Sequence, residues 1–256
     1  MKVLILGHLG MLGHMVTKYY RSKKIKVKTI KYRWPSENFI NEIKNSDCDF
    51  IINCIGSIHQ KKPTWEDYKL NNISLPIFLA DNFKGKILHP STDCVFNGLI
   101  AEGEMYSPHY TPNAVDDYGI SKAYVSSILK TKLNVKQIRT SIIGPELNSK
   151  VSLFEWFFSQ ENINGYTNHF WNGITTLEWA KQSLDIIKEW NNYETVVQLS
   201  TNCISKYELL RKINEVYHAN KKIIPIIKEH HNKCLYSSYP CNIIDKQLVE
   251  LKKFYK

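Results

Sequence analysis

An α/β architecture, a doubly wound parallel sheet with a smaller carboxyl-terminal lobe, is predicted by three observations. Strand and helix signals alternate through roughly the first 140 residues, at spacings that imply helices on both sheet faces. The strands are near-continuously apolar, as burial on both faces requires. The chain opens on MKVLILGHLGMLG, an apolar run closed by three glycines.

Residues 3–6 read as the first strand and 13–22 as the helix that follows. Strands two to five are read at 25–31, 49–54, 86–89 and 135–139, with amphipathic helices at 36–45, 65–83 and 116–132 between them. After Gly144 and Pro145 the rhythm changes. Residues 153–158 are aromatic-rich, and 162–173 are rich in Asn, Gly and aromatic residues. Helices at 176–190 and 205–219 flank a short strand near 196–199, and Ser205 to Glu208 forms an S-x-x-E helix start. No repeat or linker interrupts the chain. Residues 1–145 are therefore expected to form a nucleotide-binding domain, and 146–256 mainly a lobe that returns some segments to the core.

The 256 residues suffice for one sizeable core with a lobe added. With 43% hydrophobic and 23% charged residues, the composition is that of an ordinary globular protein. No apolar stretch approaches the roughly 20 residues that span a bilayer. The run 3–6 is too short, and lacks the basic segment ahead of it, for a signal peptide. A cytoplasmic protein with no membrane partner is expected. Cys48, Cys54, Cys94, Cys203, Cys234 and Cys241 are scattered and read as reduced thiols used as small apolar residues. His230, His231, Cys234 and Cys241 match no standard zinc spacing, so no metal is expected. The net charge of +10 raises nucleic acid as a partner. Its lysines are dispersed, however, and accompany no recognised nucleic-acid module, whereas a basic surface also suits small polyanions.

Three glycines after a strand bring backbone close to a pyrophosphate. Gly7 makes the turn, Gly10 removes the side chain that would block the phosphate, and Gly13 lets helix and strand pack closely. The helix start then offers free N–H groups and a positive dipole end. NAD sites usually carry an acid at the end of the second strand, to hold the ribose 2′-hydroxyl. Here Thr29-Ile30-Lys31-Tyr32-Arg33 has none, and Lys31 and Arg33 suit a 2′-phosphate. NADPH is expected, with NADH as the alternative. The competing reading leaves both residues as solvated strand ends.

Ligands of open parallel sheets lie outside the carboxyl ends of the strands. After the fourth strand comes HPSTDCVFNG, residues 89–98, with the Thr92 hydroxyl at the strand end. Tyr118 and Lys122, four apart, share one helix face. A nearby ammonium favours tyrosinate and lowers the phenol's pKa, so Tyr118 can exchange a proton with a substrate oxygen near neutral pH. Tyr19–Lys23, Tyr20–Lys24 and Tyr217–Lys221 share that spacing, and surface helix positions explain them. Tyr118–Lys122 differs in following a strand-end Ser-Thr-Asp within a nucleotide-binding framework.

These pieces resemble the extended short-chain dehydrogenase/reductases, and within them most the dTDP-4-dehydrorhamnose reductase group, which acts on nucleotide-linked 4-keto-6-deoxy sugars. The matching segments, in family order, are GHLGMLG (7–13), STDCVFNG (91–98), YGISK (118–122), RTSIIGPE (139–146), NGITTLEWAK (172–181) and ISKYELL (204–210). The resemblance implies a Rossmann-type fold and NADPH-dependent reduction of the sugar's C4 carbonyl. Tyr118 would donate the proton, Lys122 would hold the nicotinamide ribose and keep Tyr118 acidic, and Thr92 would hydrogen-bond the carbonyl oxygen. Gly7, Leu9, Gly10, Met11, Leu12 and Gly13 would cradle the cofactor. Cys54, Ile55 and Gly56 would run along its adenosine, and Asn71 or Asn72 would lie near its nicotinamide. Asp93, Trp171 and Asn172 would join Thr92 and Tyr118 at the sugar nucleotide, while Trp156 reads rather as core.

The chain departs from the family pattern in three ways. Cys94 replaces a common tyrosine, the glutamate usual late in the Tyr-Lys helix is missing, and the chain is somewhat short. The nucleotide (dTDP, UDP, GDP or CDP) and the sugar stay open. A role in surface polysaccharide synthesis and a homodimer are implied by the resemblance alone. The rival readings are an NAD-recycling 4-epimerase and a non-catalytic dinucleotide-binding regulatory subunit. Epimerisation at C3 or C5 would need a further acid–base pair, for which no convincing candidate is present.

Overall fold

The computed structural model describes residues 1–148 and 150–255. Seven strands form one parallel sheet: β1 (Lys2–Leu6), β2 (Lys26–Thr29), β3 (Phe50–Asn53), β4 (Lys86–Ser91), β5 (Val135–Arg139), β6 (Val196–Ser200) and β7 (Tyr239–Pro240). Their order across the sheet is β7-β6-β5-β4-β3-β1-β2. The chain runs outward from β1 to β2 and returns on the other side at β3. The topological switch point, where such sheets open a crevice, therefore lies between β1 and β3.

Alternation along the strands separates two cores. Val3 and Ile5 of β1 face one side, with Ile52, Leu88, Ile138 and Val197. There α1 (Met11–Ser22) contributes Val16 and Tyr20, and α5 (Thr176–Lys188) contributes Trp179 and Leu184. Leu4 and Leu6 face the other side, where α2 (Glu37–Lys44), α3 (Leu75–Asn82) and α4 (Asp117–Leu129) supply Phe39, Ile43, Leu79, Val125 and Leu129. Burying both faces is what makes β1 and β3 almost wholly apolar, whereas β5 buries Lys136, Gln137 and Arg139, and the edge strand β2 exposes Lys26 and Lys28.

The remaining chain builds a lobe over the carboxyl edge of the sheet. Asn162–Tyr166 pairs in parallel with Lys222–Ile226, and His169–Trp171 lies between Ile204–Ser205 and His231–Asn232. α6 (Lys206–Tyr217) and α7 (Ile244–Tyr255) cover this lobe through Leu209, Ile213 and Leu248, which pack with Phe157 and Trp171. The helix α7 and the short lobe strands were not expected from sequence. Gln247 of α7 accepts from the Thr175 amide at 2.8 Å, and Thr175 caps α5, so α7 joins lobe to sheet.

One expectation is corrected. Cys203 and Cys234 are joined by a disulfide across 31 residues. The lobe brings two distant segments together, a proximity that no sequence spacing announces. Cys48, Cys54, Cys94 and Cys241 are free thiols. Among the described residues, no helix is long and apolar enough to cross a membrane.

Candidate active site

Three segments converge at the carboxyl ends of β1, β3 and β4. The first is the glycine turn. Gly7 has φ +71°, and a Cβ there would lie 2.9 Å from the Cys54 backbone. A Cβ on Gly13 would lie 2.1 Å from the Gly7 carbonyl oxygen. Both glycines answer needs internal to the fold. Gly10 differs: it is extended (φ −81°, ψ 167°), and a Cβ would meet only the Gly7 oxygen, at 3.4 Å. No described neighbour demands glycine there, whereas a ligand approaching the backbone would. Gly10 also caps α1 without a side chain, and the first turn of α1 holds no acid. Its N–H groups and dipole are thus left for an anion.

The Leu12 side chain is buried in the core, so only its backbone is left for a ligand, and Met11 opens the helix beside it. Leu9 is exposed on the turn's outer edge. Lys31 and Arg33 lie exposed just past β2. Trp34 holds their loop, its Nε1 donating to the Leu70 carbonyl at 3.1 Å and its ring meeting Phe78 at 4.9 Å. The turn therefore has the cradle, the unspent helix start and the cationic rim that an NADPH-type ligand requires.

The second segment follows β3. The Cys54 amide donates to the Leu6 carbonyl at 3.0 Å, and Asn53 Oδ1 accepts from the Ile55 amide at 3.2 Å. A Cβ on Gly56 would sit 3.2 Å from Asn72 Oδ1 and 3.9 Å from Lys122 Nζ, which places this loop beside the lysine. Asn72, expected at the cofactor, has its amide spent inside the protein. Its Oδ1 accepts from the Ser57 amide at 2.8 Å, and its Nδ2 donates to the Ser57 carbonyl and to Ser121 Oγ at 3.1 Å each. Fully buried, it clamps the β3 loop to α4 and offers nothing to a ligand. The reason is local: residues 69–74 form a π-helical turn that points Asn72 inward.

The third segment joins β4 to α4. Thr92 Oγ1 donates to Asp93 Oδ1 at 3.0 Å and accepts from the Cys94 amide at 3.1 Å. A Cβ on Gly119 would lie 2.2 Å from the Cys94 carbonyl oxygen, so the start of α4 presses directly on this loop. Asp116 caps that start by accepting from the Gly119 amide at 2.9 Å. Tyr118 is thereby delivered beside Thr92, whose hydroxyl pulls the phenol's pKa down against the larger effect of burial. Its ring tilts against Tyr68 at 6.1 Å. Lys122, one helical turn on, donates to the Pro90 carbonyl at 3.1 Å.

The electrostatics depart from expectation at one point. Burial pushes the Tyr118 phenol up, with the neighbouring Cys94 adding to the effect. The expected lowering by the ammonium is thus corrected: desolvation wins, and the phenol stays protonated. Burial also holds Lys122 down at about 8, against a smaller upward pull from Cys54. His89 beneath it is held well below its usual range by burial and then by Lys122, and is neutral.

Two expected substrate contacts are corrected as well. Trp171 is 3% exposed and belongs to the lobe core. Asn172 is 2% exposed. Its Nδ2 donates to the Leu235 carbonyl at 2.8 Å, and its Oδ1 accepts from the Leu235 amide at 2.9 Å. Trp171 ends a strand that lies between two others and Asn172 follows it directly, so both build the lobe. Trp156 is half-exposed on Leu153–Ser159. The sequence reading passed over Lys206, whose ammonium lies 5.1 Å above the Trp171 ring, within electrostatic reach of Asp93 and Cys94. The S-x-x-E start at Ser205 was the available signal, since it sets the next residue in the first turn of α6.

The profile of the NAD dependent epimerase/dehydratase family matches residues 3–146. No curated protein matches the sequence at a significant level. Among solved structures, a dTDP-4-dehydrorhamnose reductase from Clostridium acetobutylicum superposes with a TM-score of 0.83 at 19% identity, covering 100% of this chain and 99% of that one. The Bacillus anthracis dTDP-4-dehydrorhamnose reductase, solved in complex with NADP, gives 0.83 at 17% identity with the same coverage. The UDP-glucose 4-epimerase of Thermotoga maritima, solved with UDP-glucose, gives 0.79 at 12% identity, covering 100% and 98%.

Proposed function

Because this chain belongs to the NAD dependent epimerase/dehydratase family, we propose that it reduces the C4 keto group of a nucleotide-linked 4-keto-6-deoxy sugar with NADPH. One observation carries the reading: Tyr118 and Thr92 are neighbours beside the buried Lys122 ammonium, at the end of the sheet where the glycine turn opens. Two structures that share the fold are reductases named for this activity, and one of them holds NADP.

The reduced nicotinamide, when bound, supplies a hydride to the carbonyl carbon. The backbone of Gly7, Gly10 and Gly13 would hold the pyrophosphate, Lys31 and Arg33 the 2′-phosphate, and Lys122 the nicotinamide ribose. Tyr118, kept protonated by burial, gives its proton to the carbonyl oxygen. That oxygen would accept from Tyr118 and from the Thr92 hydroxyl, turned from Asp93, which orients it and stabilises its developing charge. Residues 1–145 would supply cofactor and catalytic groups, and 146–256 mainly the sugar-nucleotide contacts. The same reading makes the protein a cytoplasmic homodimer in deoxysugar supply for surface polysaccharide.

Incubation with NADPH and a panel of dTDP-, UDP-, GDP- and CDP-linked 4-keto-6-deoxy sugars tests it. One NADPH is oxidised per sugar reduced, and Tyr118→Phe lowers turnover about 10²–10⁴-fold with NADPH binding unchanged. Inversion at C4 without net NADPH use would establish the epimerase instead. Nucleotide binding with no turnover in any assay would establish the regulatory subunit.

A further inference from the structure

The lobe presents charge to the reacting end of the site. The Lys206 ammonium has no hydrogen-bond or ion-pair partner among the described residues and rests above the Trp171 ring. Burial holds its pKa down to about 8, and the groups that act on it are Asp93, Cys94 and Lys233. Asp93 is 5% exposed. The two charges attract without forming an ion pair, and the ammonium has no acceptor of its own. Both groups are anchored. Lys206 follows the Ser205–Glu208 capping box, with Glu208 accepting from the Ser205 amide at 2.8 Å and donating its own amide back at 3.1 Å. Asp93 follows Thr92 and accepts its hydroxyl.

We propose that Lys206 is a substrate-contacting specificity residue, and that its ammonium and the Asp93 carboxylate together hold one sugar hydroxyl adjacent to the reacting carbonyl. A hydroxyl is the group that serves both sides at once: its oxygen accepts from Lys206 and its proton goes to Asp93. Substrate entry also prepares the carboxylate, since Thr92 turns its proton from Asp93 to the carbonyl oxygen. Because Thr92 and Asp93 are consecutive, the hydroxyl they flank sits next to that carbonyl. In a 4-keto-6-deoxy hexose, C5 carries a methyl group, so the adjacent hydroxyl is the one on C3. The assignment rests on the proposed ketoreductase reading.

Lys206→Met, assayed with NADPH on the nucleotide-linked 4-keto-6-deoxy sugar that the wild type reduces best and on its 3-deoxy counterpart, tests it. The variant is expected to lose about 10–100-fold in kcat/KM on the first sugar, mostly through KM, and less than about threefold on the second. NADPH affinity and melting temperature stay at wild-type values. Asp93→Asn combined with Lys206→Met should cost less than the product of the single losses, because both act on one group. Equal losses on the two sugars, or no loss on either, overturns the assignment while leaving the reductase intact. Failure of the wild type to oxidise NADPH with any 4-keto-6-deoxy sugar of the dTDP-, UDP-, GDP- and CDP-linked panel overturns both. Should Lys206→Met fail to fold, Lys206→Gln is read by the same criteria.

Discussion

Gly10 and Gly13 look alike in sequence, yet replacing each with alanine should give opposite results. At Gly13 the new Cβ would lie 2.1 Å from the Gly7 carbonyl oxygen, 2.7 Å from its carbon and 3.0 Å from the His8 Cα. The turn must open by about 1 Å, and overpacking of this kind costs about 1–3 kcal/mol. For a chain of this size that lowers the melting temperature by roughly 2–10 °C. At Gly10 the nearest atom is 3.4 Å away and the backbone angles suit any residue. Alanine there leaves the fold alone, or stabilises it by up to about 1 kcal/mol through a less flexible unfolded chain. The methyl group would stand where the pyrophosphate meets the backbone, so NADPH affinity should fall at least about tenfold, or 1.4 kcal/mol. Thermal melting and NADPH titration of both variants check this. Gly10→Ala with wild-type NADPH affinity would refute placement of the pyrophosphate on this turn.

Asn172→Ala strips both hydrogen bonds from the buried Leu235 backbone; it should cost about 2–5 kcal/mol in urea unfolding with KM unchanged. An unaltered stability with raised KM would restore Asn172 to the substrate. Lys122 titrates at about 8 in the folded protein against 10.5 when free. The unfolded chain binds more protons between those values, so stability rises with pH across that window, a slope Lys206 shares. NADPH affinity, which needs the Lys122 ammonium, should fall about tenfold per pH unit above 8; Lys122→Met should abolish that dependence, and a flat wild-type titration would refute the role. Reduction of Cys203–Cys234 releases a loop of 31 residues and should cost about 3–4 kcal/mol, or roughly 10 °C in melting. Equal melting with and without reductant would show that the bond contributes nothing.

The sheet was legible because β1 and β3 are buried on both faces, which forces an apolar run of strand length, while β4 carries only Ile87 and Leu88 and β5 only Val135 and Ile138 as apolar markers. The positions proposed as catalytic stood out in the sequence for a related reason: strand ends and helix starts are local features, and Thr92, Tyr118 and Lys122 sit on them. The lobe was not. Its strands Ile204–Ser205, His231–Asn232 and Tyr239–Pro240 have two residues each and carry no period of their own. Trp171 and Asn172 read as ligand contacts because aromatic and amide groups serve cores and substrates alike.

Local chemistry in the chain determined the glycine turn, the order of strands and helices, and the spacing of the tyrosine and lysine, because each depends on residues a few positions apart. Only the tertiary structure decided which groups face one another. It brought the phenol beside Thr92, buried it so that desolvation raises its pKa, and spent the Asn72 and Asn172 amides inside the protein. It also set Lys206 opposite Asp93, more than a hundred residues away, since burial and long-range charge arise only when distant segments exclude water together.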